Sequence, residues 1–161
     1  MTPSTSLDRG DLPGVVAAVV LINLVGSAPA ALGGPGSEWF QSLAKPAIYP
    51  PPWLFGVVWP LLFTLLGVAL YLVWQTDHTG RGLALGLFGA QMAFNVAWTP
   101  VFFRAQNLAL ALAVIVGLLA LAVPTAVAFG RVERTAGLLV VPYLLWVVFA
   151  AALNYRFLVL N

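Results

Sequence analysis

The sequence predicts an all-α integral membrane protein, a bundle of five transmembrane helices. Three observations carry that reading. Apolar runs of about 20 residues recur five times, each long enough to cross ~30 Å of hydrocarbon at 1.5 Å per residue. Of 161 residues, 61% are hydrophobic and 7% charged, against about 25% charged in a soluble domain, and mean hydropathy is +0.98. Every charged residue falls in a connection or at a span end.

The leader MTPSTSLDRGDLPG carries Asp8, Arg9 and Asp11. A signal peptide wants a net-positive start, so the acidic leader predicts a short exposed tail and a retained first span at 12–32, despite the SAPA at 27–30. The loop 33–52 is the one long connection. Pro50, Pro51 and Pro52 fix φ and remove their N–H donors, which lets a non-helical segment lie against the bilayer and enter a helix at Trp53. A stiff lid over the bundle mouth is expected. The second span, 53–75, contains Pro60, expected to bend or loosen its first turns. Spans at 82–103, 108–129 and 136–160 follow after short turns, which make consecutive helices antiparallel neighbours in a single membrane domain.

Five spans put the termini on opposite sides. The N-terminal side holds Asp8, Arg9, Asp11, Asp77, Arg81, Arg131, Glu133 and Arg134; the other holds Glu38, Lys45, Arg104 and Arg156. The cations Arg9, Arg81, Arg131 and Arg134 against Lys45, Arg104 and Arg156 are too evenly divided for the positive-inside rule to fix orientation.

Several function classes drop out. Without cysteine there are no disulfides, thiolate nucleophiles or Fe–S ligands. The single histidine, His78, sits in a polar loop, so metal clusters and Ser-His-Asp chemistry lack their parts. The net charge is +2 with no basic run, which gives no reason to expect nucleic acid. Ion-coupled carriers need ionisable groups within the membrane. Here the intramembrane polar residues are Asn23, Thr64, Gln91, Asn95, Thr99, Thr125 and Asn154, which favours holding a largely apolar ligand over moving ions.

The third span has two faces. Gln91, Asn95, Trp98 and Phe102 form one stripe and Gly82, Gly86, Ala90, Ala93 and Ala97 another, with centres roughly 150° apart at 100° per residue. Amides are costly against lipid tails, so the Gln/Asn/Trp stripe is expected to face inward. There it either hydrogen-bonds between helices or meets a ligand. The small-residue stripe then packs closely on another helix, either of the same chain or of a second copy in a homodimer.

Trp39, Trp53 and Trp74 suit interface anchors. Trp59, about six residues or ~9 Å inside its span, Trp98 and Trp146 lie too deep for that. They are either core packing or the aromatic walls of a pocket with few polar points.

These residues carry a family resemblance. Trp39-Phe40, Leu43, Lys45-Pro46, Pro50-Pro51, Phe55 and Trp59 resemble the first loop and second helix of the translocator protein family, also called the peripheral benzodiazepine receptor or tryptophan-rich sensory protein family. Gln91, Asn95, Trp98-Thr99-Pro100 and Phe102-Phe103 match in the third span. Pro142-Tyr143, Trp146, Ala150 and Leu153-Asn154-Tyr155 match in the fifth.

The resemblance implies a five-helix bundle, often a homodimer, that binds porphyrins, sterols and isoquinoline or benzodiazepine-type drugs in a pocket closed by the first loop. It implies ligand contacts at Phe40, Pro50, Pro51, Trp59, Phe63, Gln91, Asn95, Trp98, Trp146, Ala150 and Leu153. Phe40 stands where many relatives have tyrosine, and Ile48 where several have an aromatic. Phe40→Tyr is therefore expected to tighten binding. Arg156 follows Tyr155 without the gap of the loose sterol consensus, so porphyrin is expected before sterol.

Protoporphyrin IX is flat and apolar, with carboxylates on one edge. Lys45, Arg104 and Arg156 lie on the first-loop side. They either attract those carboxylates or anchor helix ends among head groups. No side chain is placed as an axial haem ligand, and no covalent cofactor is expected. Indoles beside a photosensitiser leave light-dependent porphyrin breakdown conceivable, but the conventional acid–base or metal parts of an enzyme are missing. The readings in order are a binding protein that sequesters or senses tetrapyrroles in a prokaryotic cell membrane, a transporter, and a photo-oxidative enzyme.

Overall fold

The computed structural model describes residues 8–161; the leader segment 1–7 lies outside the described residues. Those residues form helices α1 (Leu12–Ser27), α2 (Glu38–Ser42), α3 (Pro52–Gln75), α4 (Arg81–Thr99), α5 (Leu108–Val132) and α6 (Arg134–Leu160). A 3-10 segment, Ala28–Leu32, prolongs α1, and a π-helical turn, Pro100–Arg104, prolongs α4. No strand occurs among the described residues.

Four stretches are long and apolar enough to cross a membrane: Leu12–Leu32, Pro52–Gln75, Leu108–Val132 and Arg134–Leu160. Length and hydropathy thus give four spans, not the expected five. The remaining helix is α4, whose Gln91, Asn95 and Thr99 dilute its apolar character.

The helices close a ring in the order α1, α3, α6, α5, α4, with α4 returning to α1. The short turns make close neighbours of α4–α5 and α5–α6. Helices α3 and α4 also touch, but more weakly, because α3 leans on α1 and α6. Glycines explain the lean. A Cβ on Gly67 would lie 2.6 Å from Val19 Cα, so α1 and α3 meet backbone to backbone. At the α5–α6 contact, a Cβ on Gly137 would lie 2.5 Å from Gly130 Cα. Without a hydrophobic drive between helices in lipid, such close van der Waals packing is what holds them.

The two ends of the ring are tied differently. Tyr71 Oη donates to Asp11 Oδ1 at 2.9 Å, fixing the start of α1 to the last turns of α3. At the other end Asn161 pairs with the backbone of Ala44: Ala44 N donates to its Oδ1 (2.8 Å) and its Nδ2 donates to Ala44 O (3.3 Å). The described chain therefore starts and finishes at opposite ends of the bundle.

The long loop contains more structure than its prolines foretell. Ser37 Oγ caps α2 by accepting from Phe40 N at 3.3 Å. Lys45 Nζ closes the other end of α2, donating to the carbonyls of Phe40 and Leu43 and lying 4.4 Å from the centre of the Phe40 ring. Pro52 rather than Trp53 is the first residue of α3, where its missing N–H costs nothing. The helix runs on through Pro60, which has no N–H to offer the carbonyl four residues back.

Candidate ligand pocket

Beneath the loop, the ring encloses a cavity of about 530 Å³, within the ~300–1,000 Å³ typical of small-molecule sites. Its walls are almost wholly apolar. Trp59, Trp98 and Trp146 all border it, so the three deep indoles are pocket walls from α3, α4 and α6. Trp53 and Trp74 are 66% and 65% exposed at the ends of α3, as expected of interface anchors. The pocket indoles are braced by neighbours. Trp98 stacks on Phe102 (4.8 Å), Trp59 lies against Phe63 (5.3 Å), and Phe55 meets Trp146 edge-on (5.9 Å). Such offset and edge contacts suit aromatic quadrupoles and hold the rings in place.

Phe102 and Phe103, although adjacent, both face the cavity. An α-helix would separate them by about 100°. Here the two residues sit in a π turn, in which Ala105 N donates to Pro100 O, five residues back, at 2.9 Å. Pro100 seeds this register by lacking its own N–H, and Gln106, at φ 54, ends it in the left-handed region.

The lid closes through aromatic packing. Phe40 is 3% exposed and touches Phe103 and Phe157 (5.4 Å each) and Tyr49 (5.9 Å) while bordering the cavity. Tyr49 also borders the cavity, its hydroxyl bonded to nothing among the described residues, and desolvation pushes its pKa up. The lid thus offers a hydroxyl from position 49 where position 40 has none.

Of the other expected contacts, Phe63, Asn95, Ala150 and Leu153 line the cavity. Pro50, Pro51 and Gln91 do not. The two prolines precede the lining residue Pro52, and Gln91 lies one helical turn deeper than Asn95, where the core is closed. Lys45, Arg104 and Arg156 do not line it either. Lys45 is engaged with lid carbonyls, whereas Arg104 and Arg156 are exposed beside the lining residues Phe103 and Phe157.

The inward stripe of α4 hydrogen-bonds between helices, and part of it borders the cavity. Asn95 Nδ2 donates to Tyr143 Oη at 3.0 Å, Tyr143 Oη donates to Gln91 Oε1 at 2.8 Å, and Asn95 also borders the cavity. Trp98 Nε1 donates to Asn154 Oδ1, whose Nδ2 donates to Leu108 O, both at 3.0 Å. Trp146 Nε1 and Gln91 Nε2 are buried donors without a partner among the described residues. On the opposite stripe Gly82, Gly86, Ala90 and Ala93 are exposed and Ala97 half-buried, and Cβ atoms on the two glycines would meet nothing within 4 Å. Gly82 and Gly86 thus pack on no other span among the described residues.

Sequence reasoning missed the contribution of α1. Asn23, Gly26, Ser27 and Ala30 border the cavity. Their composition is ordinary for a span, and the close approaches at Gly67 and at Gly26, where a Cβ would lie 2.3 Å from Phe63 Cζ, bring them in. The exposed lining residues (Ser27, Ala30, Pro52, Gly56 and Pro60) all lie on the facing edges of α1 with its 3-10 extension and of α3. The cavity therefore opens sideways between these helices.

Fold and site define an all-helical membrane protein with an aromatic-walled, laterally open small-molecule cavity. The TspO/MBR family model matches residues 15–160, and the chain belongs to that family. It is 41% identical to the tryptophan-rich sensory protein of Cereibacter sphaeroides over 124 residues, 77% of each chain. It is 38% identical to the human translocator protein over 125 residues (76% of this chain, 74% of that one). To protein CrtK of Rhodobacter capsulatus it is 38% identical over 136 residues (83% and 84%).

Proposed function

We propose that this protein is a membrane receptor that binds tetrapyrroles, protoporphyrin IX first, and related apolar ligands of the sterol and isoquinoline type, and so sequesters or senses porphyrin. The observation that carries the reading is the cavity of about 530 Å³ walled by Trp59, Trp98 and Trp146. A flat macrocycle stacks on indole faces, while its carboxylate edge lies toward the loop side, near Arg104 and Arg156. The ligand loads from the bilayer through the gap between α1 and α3.

In this reading α4 is the fifth span. Its lipid-facing residues include Leu83 (68% exposed) and Phe94 (38%), and its polar stripe is turned inward. The termini then lie on opposite sides of a prokaryotic cell membrane. The Gly82–Gly86–Ala90–Ala93–Ala97 stripe, exposed as far as Ala93, is the face of a homodimer, because small residues let two α4 helices approach closely.

Titration with protoporphyrin IX should quench tryptophan emission saturably, and replacing Trp146 should weaken both binding and quenching. The transporter alternative makes a separate statement. Sealed vesicles holding the protein are expected to bind porphyrin without accumulating it in the lumen; sustained lumenal accumulation would favour transport over sequestration. Illumination that yields a new tetrapyrrole product would favour the photo-oxidative enzyme.

A further inference from the structure

We infer that Gln91, Tyr143 and Asn95 form a reversible hydrogen-bond relay that lets the pocket present either an acceptor or a donor to its ligand at Asn95. The inference rests on the proposed reading only in that the ligand occupies this cavity.

Tyr143 and Gln91 are 0% and 1% exposed, and Asn95 is 7% exposed at the cavity wall. The hydroxyl of Tyr143 has one proton and lies between two amides, 2.8 Å from Gln91 and 3.0 Å from Asn95. An amide is an acceptor at one end and a donor at the other. In the sense observed, Asn95 Nδ2 donates to Tyr143, and Tyr143 donates to Gln91 Oε1. Asn95 Oδ1 then accepts nothing from the described residues and is left for the cavity. The cost is Gln91 Nε2, a buried donor with no partner.

Turning both amide groups over, with no movement of the helices, gives the opposite sense. Gln91 Nε2 donates to Tyr143, Tyr143 donates to Asn95 Oδ1, and Asn95 Nδ2 faces the cavity. The orphan is now Gln91 Oε1. Each sense satisfies the hydroxyl fully and strands one polar atom of Gln91, so the two lie close in free energy. A ligand selects between them by its differential affinity. A ligand N–H or O–H favours the observed sense; a ligand carbonyl or other acceptor favours the reverse. Apart from the Tyr49 hydroxyl at the lid the wall is nearly apolar, so at its inner end the Asn95 contact gives the pocket tolerance for both ligand polarities.

Gln91 and Tyr143 are thus positioning residues for Asn95. Fluorene, carbazole and fluorenone test this, as flat tricyclics of similar shape with no polar group, one N–H donor and one carbonyl acceptor. Wild-type protein is expected to bind carbazole and fluorenone each about threefold to tenfold more tightly than fluorene, the worth of one net hydrogen bond. Gln91→Met keeps the volume but leaves the Tyr143 proton only Asn95 Oδ1 to bond, which locks the donor outward. In that variant fluorenone should keep its advantage and carbazole should fall to the level of fluorene.

Equal losses for both ligands, or no change, would overturn the relay. Should Gln91→Met not fold, the wild-type comparison still decides: an advantage for only one of the two polar tricyclics means the relay does not reverse. No binding of any of the three overturns it as well, whereas failure of protoporphyrin IX alone overturns only the tetrapyrrole reading.

Discussion

Gly137→Ala is expected to destabilise the protein in detergent by about 1–3 kcal/mol, the range for overpacking a closed interface. The added Cβ would lie 2.5 Å from Gly130 Cα and 2.7 Å from Gly130 N. Both are backbone atoms of α5, so no side chain can swing away; the helices must separate along their shared length. Gly56→Ala is the matched control. Its Cβ meets nothing within 4 Å, and alanine is the better helix former by roughly 0.5–1 kcal/mol. The same substitution should therefore lower thermal stability on α6 and leave it level or raised on α3. Equal effects at the two sites would mean that α5 and α6 do not meet at Gly130 and Gly137.

Phe40→Ala is expected to open the lid. The ring plugs an aromatic cluster of Phe102, Phe103, Phe157 and Tyr49, and Lys45 lies over it. Removing a buried phenylalanine costs about 3–5 kcal/mol in a packed core. Here much of that cost is local, because α2 is tied to the bundle by a few contacts near this ring: Phe40 itself, Trp39 against Phe102 (5.7 Å) and the Ala44–Asn161 pair. If the closed lid loses about 3 kcal/mol, ligand release should quicken by about a hundredfold. Stopped-flow displacement of bound porphyrin measures that directly, and an unchanged release rate would mean that the lid does not gate the pocket. The buried setting of Phe40 also reframes the expectation that Phe40→Tyr tightens binding: the lid already has a hydroxyl at the cavity in Tyr49, so Tyr49→Phe is the more direct probe of a lid hydroxyl.

Much of this site was legible in the sequence, for a physical reason. A membrane makes depth readable: an indole six residues inside a span has left the interface, and an amide facing lipid is too costly to keep. Those two arguments make Trp59, Trp98, Trp146 and Asn95 candidate pocket walls, with core packing as the alternative, and set the glycine stripe of α4 on the other face, against a helix of the same chain or of a second copy. Features that depend on contacts between distant segments gave no such signal. Nothing periodic marks α1 as a wall of the cavity, since its approach depends on Gly67 in another helix. Tyr143 looks like an ordinary span residue until Gln91 and Asn95 are seen on either side of its hydroxyl. The π turn did have a cue, the Pro100 that ends the Trp98-Thr99-Pro100 run, but proline alone does not say whether a helix stops, kinks or widens. The stripe leaves Gln91 open between an inter-helix bond and a ligand contact, and the resemblance favours the contact; one turn of depth puts it behind the wall, where it acts on Asn95 through Tyr143. The spans themselves were harder to count than to place, because the polar stripe that makes α4 useful to a pocket also lowers its hydropathy.

The most direct test is a protoporphyrin IX titration of the wild type and of Ala150→Phe, followed by tryptophan fluorescence. Ala150 borders the cavity from α6, so the larger ring fills space that the macrocycle needs while every indole stays in place. Saturable quenching by the wild type, with at least tenfold weaker binding in Ala150→Phe at unchanged thermal stability, is the expected result. Equal affinity in the two proteins would contradict it, placing the porphyrin on the outer surface of the bundle rather than between Trp59, Trp98 and Trp146.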